Sequence, residues 1–497
     1  MSVRTPERYQ LANGNLLWSP DRVPEPRPAA RPALVIGVLA SCGLAVSLMQ
    51  TLVVPLLPQF PRLLNASTST VTWLVTATLV AGAVCAPVLG RLGDMYGKRR
   101  MLLVALGLVT VGSALGALAP GVEMLLVARV LQGASLGVVP LGISIMRDVL
   151  PPERVGSGIA LMSSSLGIGG AVGLPITGLV AQQTSWRWLF VGAAALGALL
   201  LLLVGRMVAE SPSRSGGRFD VPGAIGLSAA LVCLLLAISK GSDWGWASPA
   251  VIILLVAAVV LFASWGRMEL RTASPLVDLR TSARPAVLWT NIGSILIGFS
   301  MFAQFLMTTQ VLQAPLESGY GFGLSLVAAG VVLLPIGGAM ALFSPVSARL
   351  SARFGARLTL VSGTIVLAVG NLSMAVLPGS ILLVMAAATV TAIGAALAYS
   401  ALPLLIMDAV PPTETAAANS LNTLMRMLGT SSCSAVVAAV ASGLTITVGG
   451  ATLPAATAYT VVFLAAAGAA AVAAVISALT PGATPAATTA TPVPAAA

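Results

Sequence analysis

Fourteen long apolar runs constrain the fold of this chain more than any other feature. Each has about 17–25 residues without paired charges, enough to cross the hydrocarbon core of a bilayer as a helix. Backbone groups in hydrocarbon must be hydrogen-bonded within their own segment, and the alternation typical of a membrane barrel is absent. The sequence therefore predicts an all-α integral membrane protein with 14 transmembrane helices. We number them spans 1 to 14, at about 34–54, 71–90, 101–119, 122–145, 157–180, 187–207, 221–239, 249–266, 286–307, 323–345, 357–377, 380–405, 419–442 and 457–479.

Composition excludes several classes of protein. Only 8% of the 497 residues are charged, too few to cover the surface of a soluble fold of this size. The absence of histidine excludes Ser-His and Cys-His nucleophile pairs, histidine-ligated haem and the commonest zinc sites. The four cysteines lie singly in apolar runs, as small core residues do. Because no cluster of acids and no nucleotide-binding P-loop occurs either, we expect no enzyme, no cofactor and no metal.

The placement of positive charge predicts the orientation. Twenty-one of the 26 lysines and arginines fall in segments on the side of the membrane that holds both termini. Only Arg62, Arg187 and Lys240 fall on the other side, whereas Arg129 and Arg426 lie within spans. By the positive-inside rule, both termini are predicted to be cytoplasmic, in a bacterial inner (plasma) membrane. The net charge of +11 thus marks topology and does not indicate a nucleic-acid partner. Residues 1–32 and 480–497 are predicted to be disordered cytoplasmic tails, since the first is rich in Pro and Arg and the second in Ala, Thr and Pro.

Two pairs of segments repeat at an offset of eight spans. Asp148–Glu153 after span 4 matches Asp408–Thr413 after span 12, and Gly90–Arg100 after span 2 matches Ala348–Leu358 after span 10 more weakly. If spans 7 and 8 are an insertion, the remainder is two six-helix halves related by a parallel repeat. The predicted units are an N-terminal six-helix bundle at 33–207, an inserted helix pair with flanking cytoplasmic loops at 208–285, and a C-terminal six-helix bundle at 286–479.

The segment Gly90–Arg100, which we call the latch motif, has the pattern G-x-L-x-D-x-x-G-K-R-R. It resembles the cytoplasmic loop signature of the major facilitator superfamily, and fourteen spans make the chain similar to the fourteen-helix drug:proton antiporter branch over about residues 34–480. The resemblance implies the major facilitator fold, with two six-helix bundles plus two extra central helices. In such a latch loop Gly90 and Gly97 permit close approach and a tight turn. Asp94 pairs with a basic group or faces a helix N-terminus. Lys98, Arg99 and Arg100 complete the motif, and the two arginines bind lipid phosphates or acids of the inner face. The alternative is an ordinary positive-inside loop.

Proton coupling is implied by the resemblance at Arg129. Leu125, Arg129, Gln132 and Gly133 are similar to the family motif L-x-x-x-R-x-x-Q-G, whose arginine is implicated in coupling. A charge within a span is costly and tends to be functional, although an arginine can also snorkel to the headgroups. The family's acid in span 1 is replaced here by Met49, and no acid falls in the middle third of a span. Glu123 is therefore the carboxylate candidate for proton coupling, with a plain loop-edge carboxylate as the alternative.

Two further sets of residues are candidate site residues. The glycines and proline of span 5 resemble the antiporter signature of the family's exporters, or else form a general small-residue packing face: Gly169, Gly170, Gly173, Pro175 and Gly178. Polar groups in spans that line the family's central pathway are candidates for a substrate cavity, with interhelical hydrogen bonding as the alternative: Gln50, Gln304, Asn422 and Arg426. Met162, Met301 and Met307 are candidates for an adaptable apolar wall. An Arg426 that faces the cavity, instead of snorkelling, favours anionic or polar substrates.

Together these features predict a secondary active transporter that exports amphipathic small molecules, such as drugs and antibiotics, in exchange for protons by alternating access. Its expected partners are a small-molecule substrate, protons and the lipid bilayer; we expect a monomer. The alternative function is import or facilitated passage of a metabolite, or export of a lipid or an endogenous natural product with other coupling.

Overall fold

The computed structural model describes residues 9–12, 15–18, 32–53, 56–57, 59–376, 379–448 and 451–480. Fourteen helices in this part of the chain are long and apolar enough to cross a membrane. Each corresponds to one predicted span: Pro32–Thr51, Thr68–Tyr96, Lys98–Leu118, Val122–Val149, Pro152–Gln183, Arg187–Met207, Val221–Trp244, Pro249–Glu269, Pro285–Gln313, Leu326–Phe354, Ala356–Ala375, Ile381–Ala409, Thr415–Gly443 and Ala456–Leu479. Span 4 consists of two helices, Val122–Ala134 and Val138–Val149, joined by the 3-10 turn Ser135–Gly137. We call the end of the bundle where span 1 begins and span 14 ends the terminal face, and the other end the opposite face.

The short elements connect the spans. Helices Phe60–Leu63 and Leu279–Ser282 precede spans 2 and 9, and 3-10 turns occupy Leu316–Ser318 and Pro412–Glu414. Strands β1 (Tyr9–Ala12) and β2 (Asn15–Trp18) pair antiparallel, as do β3 (Thr445–Val448) and β4 (Ala451–Pro454) between spans 13 and 14.

The predicted terminal tails lie mostly outside the described residues, namely 1–8, 13–14, 19–31 and 481–497. The structure differs from the prediction of disorder at the eight residues of β1 and β2. The sequence Asn13-Gly14 between these strands is the dipeptide most favoured in two-residue hairpin loops, a signal that the compositional argument did not weigh.

The prediction of a loop at the latch motif is wrong. Span 2 continues to Tyr96, and span 3 begins at Lys98, so that only Gly97 separates the two helices. Gly97 has φ of 119°, a conformation that glycine adopts without steric cost and that reverses the chain within one residue. Gly355, which the weaker repeat aligns with Gly97, has φ of 88° and occupies the same place between spans 10 and 11. The two glycines therefore make equivalent turns in the two halves.

Two apolar cores occupy the two halves of the bundle. One is built mainly from spans 1 to 6 and also includes Met407 and Ala416 from the second half. The other is built mainly from spans 9 to 14 and includes Ala171 and Leu174 from span 5. The halves meet mainly along two helix pairs, span 2 with span 13 and span 5 with span 10, and span 5 also contacts span 12 as span 4 contacts span 13. Each core therefore extends across the junction, so that motion of one half against the other repacks apolar side chains.

Spans 7 and 8 pack against each other at the side of this junction. Leu227, Leu231 and Leu235 of span 7 share a small apolar cluster with Ala83 of span 2 and Leu424 of span 13. Near the opposite face, the Lys240 ammonium donates to the Thr72 hydroxyl over 2.7 Å. Span 7 therefore contacts both halves where span 2 meets span 13.

Candidate functional site

Asp94 lies at the terminal face between the two halves. Its side chain is fully buried and accepts hydrogen bonds from the backbone N–H groups of Ala416, at 3.2 Å, and Ala417, at 2.8 Å. Both donors are in the first turn of span 13, where the unpaired N–H groups of a helix carry a partial positive charge. The carboxylate of one half thus caps a helix of the other half. This is one of the two partners that the sequence predicted for Asp94.

The second predicted partner, a basic group, is Lys98. Its ammonium lies 3.6 Å from the Asp94 carboxylate and 2.6 Å from that of Asp148, with no exposed side-chain surface. It also donates to the Thr415 hydroxyl over 2.9 Å and to the Pro412 carbonyl over 3.3 Å. Asp148 and Pro412 belong to the two copies of the internal repeat. One buried ammonium therefore holds both copies together, a role for Asp148 that the sequence analysis missed although the repeat marked its position.

The glycines of the latch motif permit close backbone contact. A Cβ atom at Gly90 would lie 2.7 Å from the Ala416 carbonyl oxygen, which is closer than real Cβ contacts. A Cβ atom at Gly97 would lie 2.8 Å from the carboxyl carbon of Glu210. The Glu210 carboxylate in turn accepts a hydrogen bond from the Arg99 backbone N–H over 3.0 Å. The sequence analysis did not predict this role for Glu210. The Arg99 guanidinium donates to the Gly205 carbonyl, and Arg100 is exposed.

Arg129 is buried inside the first half and does not snorkel to the headgroup region. Its guanidinium donates to the Met49 carbonyl over 2.9 Å, to the Gln132 side chain over 2.8 Å and to the Leu74 carbonyl over 3.3 Å. Gln132 donates onward to the Ser113 hydroxyl over 2.9 Å. Arg129 thereby joins spans 1, 2 and 4 through neutral acceptors, and Gln132 extends the network to span 3.

The structure does not bring Glu123 to Arg129. Glu123 is exposed in the first turn of span 4 at the opposite face, whereas only 2% of the Arg129 side chain is exposed. No ion pair of Arg129 occurs among the described residues. Since Met49 stands where the family has an acid, its backbone carbonyl and not a carboxylate faces the guanidinium.

Span 5 presents its small residues to two neighbours. Gly169 and Gly173 face span 1, where a Cβ atom at Gly169 would lie 2.6 Å from the Cβ atom of Ser47 and one at Gly173 would collide with Thr51. Gly178 faces span 10, with Val327 2.7 Å from a built Cβ atom. Pro175 also contacts span 10, where it limits the space beside Gly330. The pattern therefore lets span 5 approach a helix of each half closely.

The adjacent glycines Gly169 and Gly170 provide a matched test of this packing. A Cβ atom at Gly170 meets nothing within 4 Å, whereas at Gly169 it meets Ser47 and the Leu44 carbonyl. We expect Gly169→Ala to destabilise the protein by about 1–3 kcal/mol through overpacking, and Gly170→Ala to leave the stability unchanged or slightly higher. Heating detergent-solubilised protein and measuring the monodisperse fraction that remains checks both variants. Equal melting of the two would contradict the proposed contact between spans 1 and 5.

A cavity of about 210 Å³ lies between the halves. Of the residues predicted for it, Gln50, Arg426 and Met301 line it, as do Gly170 of span 5 and Tyr399 of span 12. The others are Ser47, Thr51, Leu79, Leu136, Val139, Leu166, Gly167, Ala171, Phe302, Phe305, Leu333, Ile336, Thr423, Met427 and Thr430. The sequence analysis missed the hydroxyls of Ser47 and Thr51 and the rings of Phe302 and Phe305. On span 1, helical spacing from Gln50 pointed to Ser47, three residues earlier, and spacing from Ser47 pointed to Thr51, four residues later.

Gln304 and Asn422 do not line the cavity, so the prediction that they do is wrong. Asn422 donates to Asn291 over 2.9 Å and to the Ser294 hydroxyl over 2.7 Å, which links spans 13 and 9. Gln304 is buried and donates to the Thr308 hydroxyl one turn further along its own helix. Both side-chain N–H groups thus donate inside the protein, as buried polar groups usually must, whereas the Gln304 side-chain oxygen has no partner among the described residues. Met162 and Met307 are likewise buried in the two cores and away from the cavity.

In the described part of the chain, fourteen spanning helices in two halves around a central cavity define a multi-pass membrane protein with the architecture of a transporter. The sequence profile of the Major Facilitator Superfamily matches residues 39–432 and, in a second match, residues 339–496. The chain therefore belongs to the Major Facilitator Superfamily.

Proteins with similar sequences include several named for resistance. The Tetracenomycin C resistance and export protein of Streptomyces glaucescens is 32% identical over 351 residues, which cover 69% of this chain and 62% of that protein. The Multidrug resistance protein Stp of Mycobacterium tuberculosis is 28% identical, covering 82% of this chain and 76% of the relative.

Among solved structures, the human organic anion transporter MFSD10 has a TM-score of 0.64 at 18% identity, covering 90% of this chain and 99% of the other. The proton:xylose symporter XylE has a TM-score of 0.61 at 15% identity, covering 91% and 96%. At these identities, the solved structures establish the fold alone.

Proposed function

We propose that this protein is a secondary active transporter that exports amphipathic small molecules, such as drugs and antibiotics, from a bacterial cell. The observation that carries the proposal is the mostly apolar cavity between two halves whose terminal faces are joined through Asp94. Membership of the superfamily and relatives named for tetracenomycin C export and multidrug resistance support it. The excess of Lys and Arg at the terminal face supports a cytoplasmic position for that face and for both termini.

Alternating access follows from the way in which the halves are joined. The moving units are the bundles at 33–207 and 286–479, with the segment 208–285 beside their junction. With Asp94 on the first turn of span 13 and Lys98 bonded to both halves, the terminal face is closed. To open the cavity toward the cytoplasm, these bonds must break while others form at the opposite face. The latch motif thus sets the balance between two states, and the small residues of span 5 let the halves rock in close contact.

Proton exchange is part of the proposal, with Arg129 as the coupling residue. Among the described residues of the first half, its guanidinium is the one charge buried away from both faces, and it contacts the carbonyl of span 1 next to the cavity residue Gln50. Glu123, exposed at the opposite face, is the proposed entry point for protons on the same span. Coupling then depends on how a proton that enters at Glu123 alters the hydrogen bonds that Arg129 makes to spans 1, 2 and 4.

Proteoliposomes with an imposed pH gradient test export and coupling together. We expect a panel of aromatic antibiotics and dyes to accumulate only when the vesicle interior is acidic, and accumulation to stop when an ionophore collapses the gradient. Protein-free liposomes with the same gradient control for passive trapping of weak bases. Protein-dependent movement that ignores the gradient would refute antiport while leaving transport intact, and absence of any movement would refute the function.

A further inference from the structure

One charged side chain lines the central cavity among the residues that the structure describes, and it is Arg426 of span 13. The remaining lining residues are apolar or neutral, with aromatic rings from Phe302 and Phe305 on span 9. The guanidinium carbon lies 4.9 Å from the centroid of the Tyr399 ring, which is also part of the wall. This cation–π contact uses none of the guanidinium N–H donors, and no hydrogen bond from Arg426 occurs among the described residues, so the donors are available to a ligand.

Arg426 has no counter-ion in the described part of the chain. It forms no ion pair there, because the carboxylates lie near the two faces of the bundle. Arg129, the other arginine within a span, donates to two carbonyls and an amide of its own half. Arg426 has no such set of acceptors among the residues that the structure describes. A guanidinium kept in an apolar cavity without a partner is costly, and a function that uses the charge accounts for its presence.

We infer that the cavity takes amphipathic substrates with an anionic group, which Arg426 binds, while their apolar bodies lie against Phe302, Phe305 and Met301. This inference rests on the proposed export function and names the substrate class for it. A carboxylate, sulfonate or phenolate matches the planar donor fork of arginine, and the low dielectric of the cavity strengthens the pairing. A cationic substrate of the same shape meets repulsion from Arg426, since no carboxylate of the described residues lines the cavity to offset it.

Counterflow in proteoliposomes of zwitterionic lipid tests the inference without requiring proton coupling. The probes are naphthalene-2-sulfonate and 2-naphthyltrimethylammonium, which share a ring system and carry fixed charges of opposite sign. We expect the wild-type protein to exchange the sulfonate and to exchange the ammonium poorly. Arg426→Gln is expected to reduce sulfonate exchange roughly tenfold or more, because a hydrogen-bonded charge pair is lost. Arg426→Lys is expected to keep part of the exchange, since it retains the charge without the fork.

Arg62→Gln is the matched control, because it removes one positive charge from an exposed position at the opposite face. It is expected to exchange the sulfonate like the wild type. Sulfonate exchange by Arg426→Gln at the wild-type rate, or a wild-type preference for the ammonium, would overturn the inference. If the wild type exchanges antibiotics of the export panel but shows no preference for the anion, only this inference fails. If it exchanges neither probe nor any antibiotic, the export function fails with it.

Discussion

Asp94→Asn is expected to lower transport at least tenfold while leaving the amount of protein in the membrane unchanged. The substitution keeps the size of the side chain but removes the charge that faces the N-terminus of span 13 and Lys98. A charge at a partly buried helix terminus contributes up to ~2 kcal/mol, and hydrogen bonds to charged groups ~1.5–3 kcal/mol each. Losing even ~1.4 kcal/mol from one of two states shifts their ratio tenfold. The state that is closed at the terminal face is the one that loses stability.

Two measurements separate this effect from misfolding. Counterflow reports the rate of exchange, and labelling of Ser420→Cys by an impermeant maleimide from the terminal face reports opening, because Ser420 contacts Gly90 across the junction. We expect Asp94→Asn to slow the exchange of substrate and to speed the maleimide labelling of Ser420→Cys. Glu153→Gln, which neutralises an exposed acid in the first turn of span 5, is the matched control and is expected to change neither. Faster labelling without loss of exchange would show that the latch motif does not limit transport.

The sequence predicted the fourteen spans and the residues of the latch motif because both depend on local patterns. Apolar length determines a spanning helix, and the glycines and the acid of the motif lie within one short segment of the sequence. The partners of Lys98 were beyond such reasoning, since Thr415 and Pro412 lie more than three hundred residues away along the chain. The repeat did mark the segments that meet there, although nothing in it showed that they meet at one ammonium.

The sequence identified only some of the residues that line the cavity, because it does not show which side of a helix faces the cavity. Gln50 and Gln304 are both glutamines within spans, yet one lines the cavity and the other bonds to Thr308 inside a core. A spanning helix has protein on several sides, so polarity identifies a residue that avoids lipid without showing which inner face it occupies. Asn422 and Arg426 are one helical turn apart on span 13 and still point to different surroundings. That difference depends on how span 13 is rotated against span 9, which only the packed structure determines.

Replacement of Arg129 is expected to abolish transport by loosening the first half, so that stability falls together with exchange. Arg129→Ala leaves the Met49 and Leu74 carbonyls and the Gln132 amide without their donor in a buried place. Each lost bond to a charged group costs about 1.5–3 kcal/mol, so the three bonds together correspond to a loss of about 4.5–9 kcal/mol. Arg129→Lys keeps the positive charge, but an ammonium lacks the planar set of N–H donors with which the guanidinium reaches three helices. We therefore expect an intermediate loss of stability and of exchange.

The melting temperature of the purified protein and its counterflow distinguish this account from a role in coupling alone. If Arg129 acted only in coupling, Arg129→Lys would exchange substrate normally and fail only in gradient-driven uptake. Our account instead predicts that both counterflow and melting temperature fall, more in Arg129→Ala than in Arg129→Lys. Arg187→Gln is the matched control, because Arg187 also donates to a backbone carbonyl, that of Ala119, but at the exposed opposite face. It is expected to melt like the wild type, since water replaces a bond lost at an exposed site. Wild-type melting of Arg129→Ala would show that the three acceptors are satisfied without it, and the guanidinium would then serve coupling alone.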